Sequence, residues 1–121
     1  MLAVALGSAL GGVLRWALGA WLNPLWLGFP LGTLLVNCVG GFLIGMALLG
    51  FEHWPLALPR AFFITGFLGG LTTFSAFSGE SLQLLHRGQV ALAGLHAAAH
   101  VVGALACCAA GFALARLLLR A

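Results

Sequence analysis

Three long stretches without a charged residue decide what this chain can fold into. Asp, Glu, Lys and Arg are absent from residues 16–51, 61–79 and 88–115. A bilayer crossing needs only about 20 predominantly apolar residues, and each stretch approaches or exceeds that length. Charged residues make up 6% of the chain, whereas a water-soluble domain carries roughly 25%. The sequence therefore predicts an all-α integral membrane protein, with residues 1–121 forming a single domain in the plasma membrane.

Turn-forming residues divide the chain into four predicted membrane helices. The helices cover about Leu2–Trp21, Leu31–Gly50, Arg60–Leu85 and Gln89–Leu119. Asparagine, proline and glycine punctuate the three connections between them, as is typical of turns. The four tryptophans lie near predicted helix ends, where an aromatic belt would place them: Trp16, Trp21, Trp26 and Trp54.

The arginines are too evenly spread to orient the chain. Four spans put both termini on one side, with Arg60, Arg116 and Arg120, while Arg87 and Arg15 lie toward the other side. The positive-inside rule gives only a weak bias from such a distribution. Either a partner or the translocon fixes the orientation, or the chain inserts both ways and pairs antiparallel, which we favour. The scattered arginines form no basic patch for nucleic acid.

The third helix contains the run that most weakens a helix. Gly66, Gly69 and Gly70 lower helix propensity, and the β-branched pair Thr72 and Thr73 lowers it further. We expect the helix to break mid-membrane between Gly69 and Thr73. Carbonyl groups freed there would need a protein-lined cavity or an ion, and free carbonyls bind hard cations such as sodium. The alternative is a glycine-rich packing helix without a break.

Aromatic and amide side chains suggest an anion route beside that run. Phe74 and Phe77 are three residues apart and share a helix face, which Ser78 and Ser81 extend. The edge of a phenyl ring is positive, so ring edges would favour an anion without the tight binding of a full charge. Asn37, in the middle of the second helix, offers two N–H donors. Its alternative role is a hydrogen bond between helices.

The remaining candidates are charged or titratable side chains. Arg15 either faces a water-filled vestibule that attracts anions or snorkels to the interface. Glu80 is either a solvated helix-end residue or a group at a pore mouth. His96 and His100 are four residues apart on the fourth helix and share a face. A polar stripe is favoured there over a metal pair, because no third ligand stands out.

Three motifs in chain order resemble the CrcB/Fluc fluoride channels. They are Gly11-Gly12-x-x-Arg15, Gly32-Thr33-x-x-x-Asn37-x-x-Gly40 and Gly66-Phe67-x-Gly69-Gly70-x-Thr72-Thr73-Phe74-Ser75-x-Phe77-x-x-Glu80. Length and span count match over nearly the whole chain. The resemblance implies a fluoride-selective channel that passively exports fluoride and lowers its cytoplasmic concentration. It also implies an antiparallel, dual-topology homodimer with two pores and a central structural sodium ion.

The resemblance also implies roles for individual residues. The fluoride route would be lined by Asn37, Thr73, Phe74, Ser75, Phe77 and Ser78. The backbone carbonyls of Gly69 and Thr72 from both chains would hold the sodium ion. Arg15 would lie in the vestibule, and Glu80 would match the acidic residue at the end of the third helix. The family carries hydroxyl groups along the fourth helix, where this chain offers only His96 and His100.

Two other classes of membrane protein compete with this interpretation. A small multidrug transporter also has four helices and dual topology, but it needs a membrane-embedded carboxylate, and the first helix has none. A non-transporting assembly subunit is the second alternative. Within the channel interpretation, paired unequal subunits are an alternative to a homodimer. No nucleophile–base pair or metal triad is evident, so the sequence does not predict an enzyme.

Overall fold

The computed structural model describes residues 1–25 and 29–120. Within these residues, four helical segments are long and apolar enough to cross a membrane. They are Leu2–Leu25, Leu31–His53, Ala57–His86 and Val90–Leu119. The prediction of an all-α chain with four spans is confirmed, whereas Trp26 of the predicted aromatic belt lies outside the described residues.

The third span is divided, and the other three are not. The first consists of α1 (Leu2–Leu22) and a 3₁₀ turn (Asn23–Leu25), the second is α2 (Leu31–His53) and the fourth is α6 (Val90–Leu119). The third begins with α3 (Ala57–Arg60), a π-helical segment (Ala61–Leu68) and α4 (Gly69–Leu71). After two residues outside any helix it resumes as α5 (Phe74–His86).

The side chain of Asn23 joins the first two spans. Asn23 Oδ1 accepts hydrogen bonds from the backbone N–H groups of Gly32 at 2.7 Å and Thr33 at 3.2 Å. These N–H groups lie in the first turn of α2, where the helix itself offers no acceptor. Asn23 therefore ties the end of the first span to the start of the second.

Glycines bring the spans together in two pairs. α2 packs along α6, and α1 packs along the third span. A Cβ at Gly45 would collide with the carbonyl oxygen of Cys108, and one at Gly11 would collide with that of Phe67. Small residues allow membrane helices to approach at backbone distance. These two glycines therefore allow close packing between helices of the same chain.

A small apolar cluster fixes the second span against the third. Val36, Leu68 and Leu71 are buried and contact one another, with partly buried leucine, isoleucine and phenylalanine side chains around them. Leu71 immediately precedes the two non-helical residues, Leu68 lies three positions earlier, and Val36 is next to Asn37. The packing of α2 thus positions the interruption of the third span.

We predict that Gly45→Ala destabilises the folded chain by about 1–3 kcal/mol, because the added methyl group would push α2 away from α6. The matched control is Gly50→Ala in the same helix, where no atom lies within 4 Å of an added Cβ. That change should preserve or slightly raise stability, since alanine favours a helix over glycine. Thermal unfolding in detergent micelles measures both effects. A melting temperature for Gly45→Ala equal to that of the wild type would contradict the prediction.

Candidate functional site

The interruption of the third span is formed by two threonines. Thr72 has φ −85° and ψ 156°, and Thr73 has φ −152° and ψ 123°, so both are extended. The carbonyl of Leu68 accepts the Thr72 N–H at 3.0 Å and the Thr72 hydroxyl at 2.8 Å. Thr73 Oγ1 accepts the N–H of Ala76 at 3.1 Å and caps α5. Each threonine hydroxyl therefore hydrogen-bonds one of the two helix ends at this point.

The side chain of Asn37 bonds both polar groups of the Thr73 backbone. Asn37 Oδ1 accepts the Thr73 N–H at 2.8 Å, and Asn37 Nδ2 donates to the Thr73 carbonyl at 3.0 Å. Nδ2 also lies 3.1 Å from Nδ1 of His100 on α6. One amide thus links α2, the extended residues and the fourth span.

Backbone carbonyls lose their helical donors at the interruption, among them those of Gly69 and Thr72. In a continuous helix, the N–H of Thr73 would donate to Gly69, and that of Ala76 would donate to Thr72. Those N–H groups instead donate to Asn37 Oδ1 and Thr73 Oγ1. The carbonyls of Gly69 and Thr72 are therefore released from the helix pattern. Carbonyl oxygens suit hard cations, so the donor set fits the sodium ion expected at these residues.

A groove of about 650 Å³ opens beside the interruption. Its walls come from α2, the π-helical segment, the extended residues, α5 and α6, and most of its lining is apolar. The polar groups in the lining include Asn37, Thr73 and His100, which share it with Phe74 and Phe77. An apolar groove with a few convergent polar groups is typical of a binding site.

The two predicted phenylalanines lie in contact but differ in exposure. Their ring centroids are 5.4 Å apart, and Phe74 is 78% exposed. Phe77 is half-buried, and its ring stacks on His96 at 5.4 Å with an interplanar angle of 7°. It also lies 4.7 Å from the ring of His100. Phe77 therefore contacts both histidines of the fourth span and also lines the groove.

The predicted hydroxyl donors lie toward the open side of α5. Ser75 and Ser78 are exposed in this chain, and Thr73 is half-buried. Ser78 donates to the Phe74 carbonyl at 2.9 Å, and Ser75 Oγ lies 3.2 Å from Thr73 Oγ1. Neither serine is among the residues that line the groove, and Ser78 already donates its hydroxyl to the backbone.

Glu80 belongs to a hydrogen-bonded network between three spans. Thr33 Oγ1 donates to Glu80 Oε2 at 2.6 Å, and His96 Nε2 lies 3.2 Å from Glu80 Oε1. Ser81 Oγ lies 2.9 Å from His96 Nδ1. His96 is fully buried and the Glu80 side chain is 15% exposed, so the solvated alternative does not describe this carboxylate. Sequence analysis did not assign Thr33 a site role; its signals are its place in the second motif and its position one turn before Asn37 on the same helix face.

Arg15 contacts the interruption from the opposite side. Its Nε donates to the carbonyl of Gly70 at 3.0 Å, and its side chain is half-buried. A guanidinium group therefore lies one residue from Gly69, between α1 and α4. Its assignment to a vestibule stays a prediction.

Comparison with known proteins identifies the family. Residues 2–112 match the model of the family described as CrcB-like protein, Camphor Resistance (CrcB). The chain belongs to the CrcB-like family. The resemblance inferred from the three motifs is thereby confirmed.

Curated CrcB-like relatives cover most of the chain. It is 50% identical over 114 residues to the fluoride-specific ion channel FluC of Aromatoleum aromaticum, covering 93% of this chain and 87% of the relative. The FluC of Nitrosomonas europaea is 50% identical over 115 residues, or 93% of this chain and 91% of the relative. The FluC of Bordetella petrii is 52% identical over 120 residues, covering 97% of this chain and 91% of the relative. With four spans and bacterial relatives, this is a multi-pass plasma-membrane protein.

We predict that Thr33→Val destabilises the protein by about 1–3 kcal/mol, because a mostly buried carboxylate oxygen of Glu80 loses its O–H donor. Thr33→Ser retains the hydroxyl and is the control. Thermal unfolding of both variants in the same detergent measures the difference. Equal losses in the two variants would trace the effect to the threonine methyl group and contradict a role for the hydrogen bond.

Proposed function

We propose that this chain forms a fluoride-selective channel that passively exports fluoride and lowers its cytoplasmic concentration. The observation that carries the proposal is the interruption at Thr72 and Thr73, which lies beside a groove lined by Phe74 and Phe77. Several relatives at about half identity are named fluoride-specific ion channels, which supports the same function. Those names describe channels rather than enzymes, in agreement with the sequence analysis.

Fluoride is small and strongly hydrated, so a selective route must replace its water with donors. The groove offers an imidazole, a threonine hydroxyl and phenyl edges in an otherwise apolar lining. The N-terminal end of α5 begins at the same place and adds partial positive charge. No residue there carries a full positive charge, which favours release of the ion as well as its entry.

The exposure of the route favours a second copy of the chain. Phe74 is 78% exposed and the serines beside it are exposed, so one chain provides an open groove rather than a closed pore. The weak arginine bias supports insertion in both orientations. We therefore assign the working form as an antiparallel, dual-topology homodimer with two pores.

A central sodium ion fits the same arrangement. In an antiparallel pair, the Gly69 and Thr72 carbonyls of both chains would hold it, and the C-terminal end of α4 adds partial negative charge. When bound, the cation would supply positive charge that lowers the cost of an anion near mid-membrane. Thr73 and Asn37 keep the two carbonyls out of the helix pattern in each chain.

We expect purified protein in liposomes to release fluoride but not chloride, and to show no proton-coupled export of cationic drugs. Phe77→Ile and Phe74→Ile should each slow fluoride efflux by about tenfold, because an aliphatic group has no positive edge. Phe51→Ile, near the end of α2 and outside the groove lining, is the matched control. Fluoride efflux at the wild-type rate in both groove variants would remove the phenyl edges from the mechanism. Absence of fluoride efflux from the wild type would reject the channel.

Dual topology predicts a labelling pattern in intact cells. With Cys38, Cys107 and Cys108 replaced by alanine, single cysteines at Gln89 and Leu56 lie in connections on opposite sides of the membrane. A membrane-impermeant maleimide should label about half of each population, because both orientations are present. Complete labelling at one position and none at the other would show a single orientation and contradict the antiparallel dimer.

A further inference from the structure

Gly40 leaves a notch in α2 that the side chain of Thr72 fills. Gly40 is buried and lies three positions after Asn37, on the same face of the helix. A Cβ on Gly40 would collide with the methyl group of Thr72, whereas the Thr72 Cβ would lie 3.6 Å from it, an ordinary van der Waals distance. The obstacle to a larger residue at this position is therefore a single methyl group.

A hydrogen bond prevents Thr72 from turning that methyl group away. The Thr72 hydroxyl donates to the Leu68 carbonyl at 2.8 Å, and the hydroxyl and the methyl group are attached to the same Cβ. Rotation about χ1 would move both groups together and break this bond. Threonine is stiff at χ1 even without such contacts. The Gly40 notch and the Leu68 carbonyl therefore hold the Thr72 side chain in one rotamer.

The peptide group between Thr72 and Thr73 is thus held at both ends. Gly40 fixes the position of Thr72, and the N–H of Thr73 donates to Asn37 Oδ1 at 2.8 Å. This peptide bond is trans, so its C=O and N–H groups point in opposite directions. Because the N–H is directed toward α2, the Thr72 carbonyl is directed away from α2. This carbonyl is one of the two expected to hold the sodium ion.

We infer that Gly40 is a positioning residue for the cation, because by receiving the Thr72 methyl group it sets the direction of the Thr72 carbonyl. The inference rests on the sodium ion of the proposed function, on which Gly40 acts only through Thr72. Two residues of one helix face then have separate tasks. Asn37 bonds the backbone of Thr73, and Gly40 fixes the residue before it.

The first test measures the contact itself by thermal unfolding in detergent micelles. Gly40→Ala should lower the melting temperature by about 5–10 °C, because the added methyl group forces Thr72 or α2 to move. Thr72→Ser removes the obstructing methyl group and keeps the hydroxyl, so in combination with Gly40→Ala it should restore most of that loss. It should restore nothing to Gly45→Ala, where the obstacle is the carbonyl oxygen of Cys108.

This double-variant comparison has two outcomes that would overturn the inference. If Gly40→Ala/Thr72→Ser melts no higher than Gly40→Ala, the added alanine does not meet the Thr72 methyl group. If Thr72→Ser rescues Gly45→Ala equally well, the serine stabilises the fold in general and not through the notch.

The second test reads cation binding without any measurement of conduction. Melting temperatures are compared in NaCl and in the same concentration of choline chloride. An ion that binds only the folded protein raises its melting temperature, so the wild type should melt higher in NaCl. Gly40→Ala should lose most of that difference, and Gly40→Ala/Thr72→Ser should regain it. The control Gly50→Ala, with no atom within 4 Å of its added Cβ, should keep it.

The salt comparison separates this inference from the proposed function. Equal melting of the wild type in both salts would reject the proposed sodium ion, and with it any role of Gly40 in holding the ion. A full sodium difference in Gly40→Ala, beside a wild type that responds to sodium, would overturn the positioning role and leave the sodium site intact. Loss of the difference in Gly50→Ala would show a general effect of substitution in α2 and would overturn the positioning role too.

Discussion

The pair of hydrogen bonds between the Asn37 amide and the backbone of Thr73 is the interaction on which the rest of the site depends. An extended residue within a membrane helix leaves an N–H and a C=O without helical partners, and neither is tolerated in hydrocarbon. Asn37 satisfies both, at 2.8 and 3.0 Å. Because the amide comes from α2, these two hydrogen bonds require the second span to pack against the third. The apolar contact of Val36 with Leu68 and Leu71 maintains that packing.

One irregularity of the backbone leaves two helix ends of opposite partial charge close together. The carbonyl end of α4 carries partial negative charge, and the N–H end of α5 carries partial positive charge. In a continuous helix, hydrogen bonds between successive turns would pair these carbonyl and N–H groups, and no partial charge would remain at this point. The extended Thr72 and Thr73 separate them, so carbonyls suited to a cation lie a few residues from the Phe74 end suited to an anion. Arg15 bonds the Gly70 carbonyl and adds a positive charge on the α1 side.

The four spans could be predicted because they depend on local sequence, and the helix-weakening run that contains Thr72 and Thr73 could be located for the same reason. Apolar length and turn residues define the spans, and two adjacent threonines after glycines weaken a helix wherever they occur. The π-helical segment Ala61–Leu68 could not be predicted, because its residues carry no local mark of that hydrogen-bond pattern. The partners of Asn37 could not be predicted either, since Thr73 and His100 are 36 and 63 positions away. Sequence identified the amide as a polar group, but only the fold shows that its N–H groups are both engaged.

The two histidines of α6 show why a shared helix face does not imply a shared role. They lie one turn apart and their rings are 4.5 Å from each other, yet Ser81 and Glu80 occupy the nitrogens of His96 while Asn37 occupies one nitrogen of His100. α6 has no serine, threonine or tyrosine, so imidazole is the hydrogen-bonding group this span offers to the groove. A hydroxyl can rotate toward whichever neighbour suits it, whereas an imidazole presents its N–H in one direction set by its tautomer. In this chain the same Asn37 amide therefore contacts His100 on the fourth span and the extended backbone of the third.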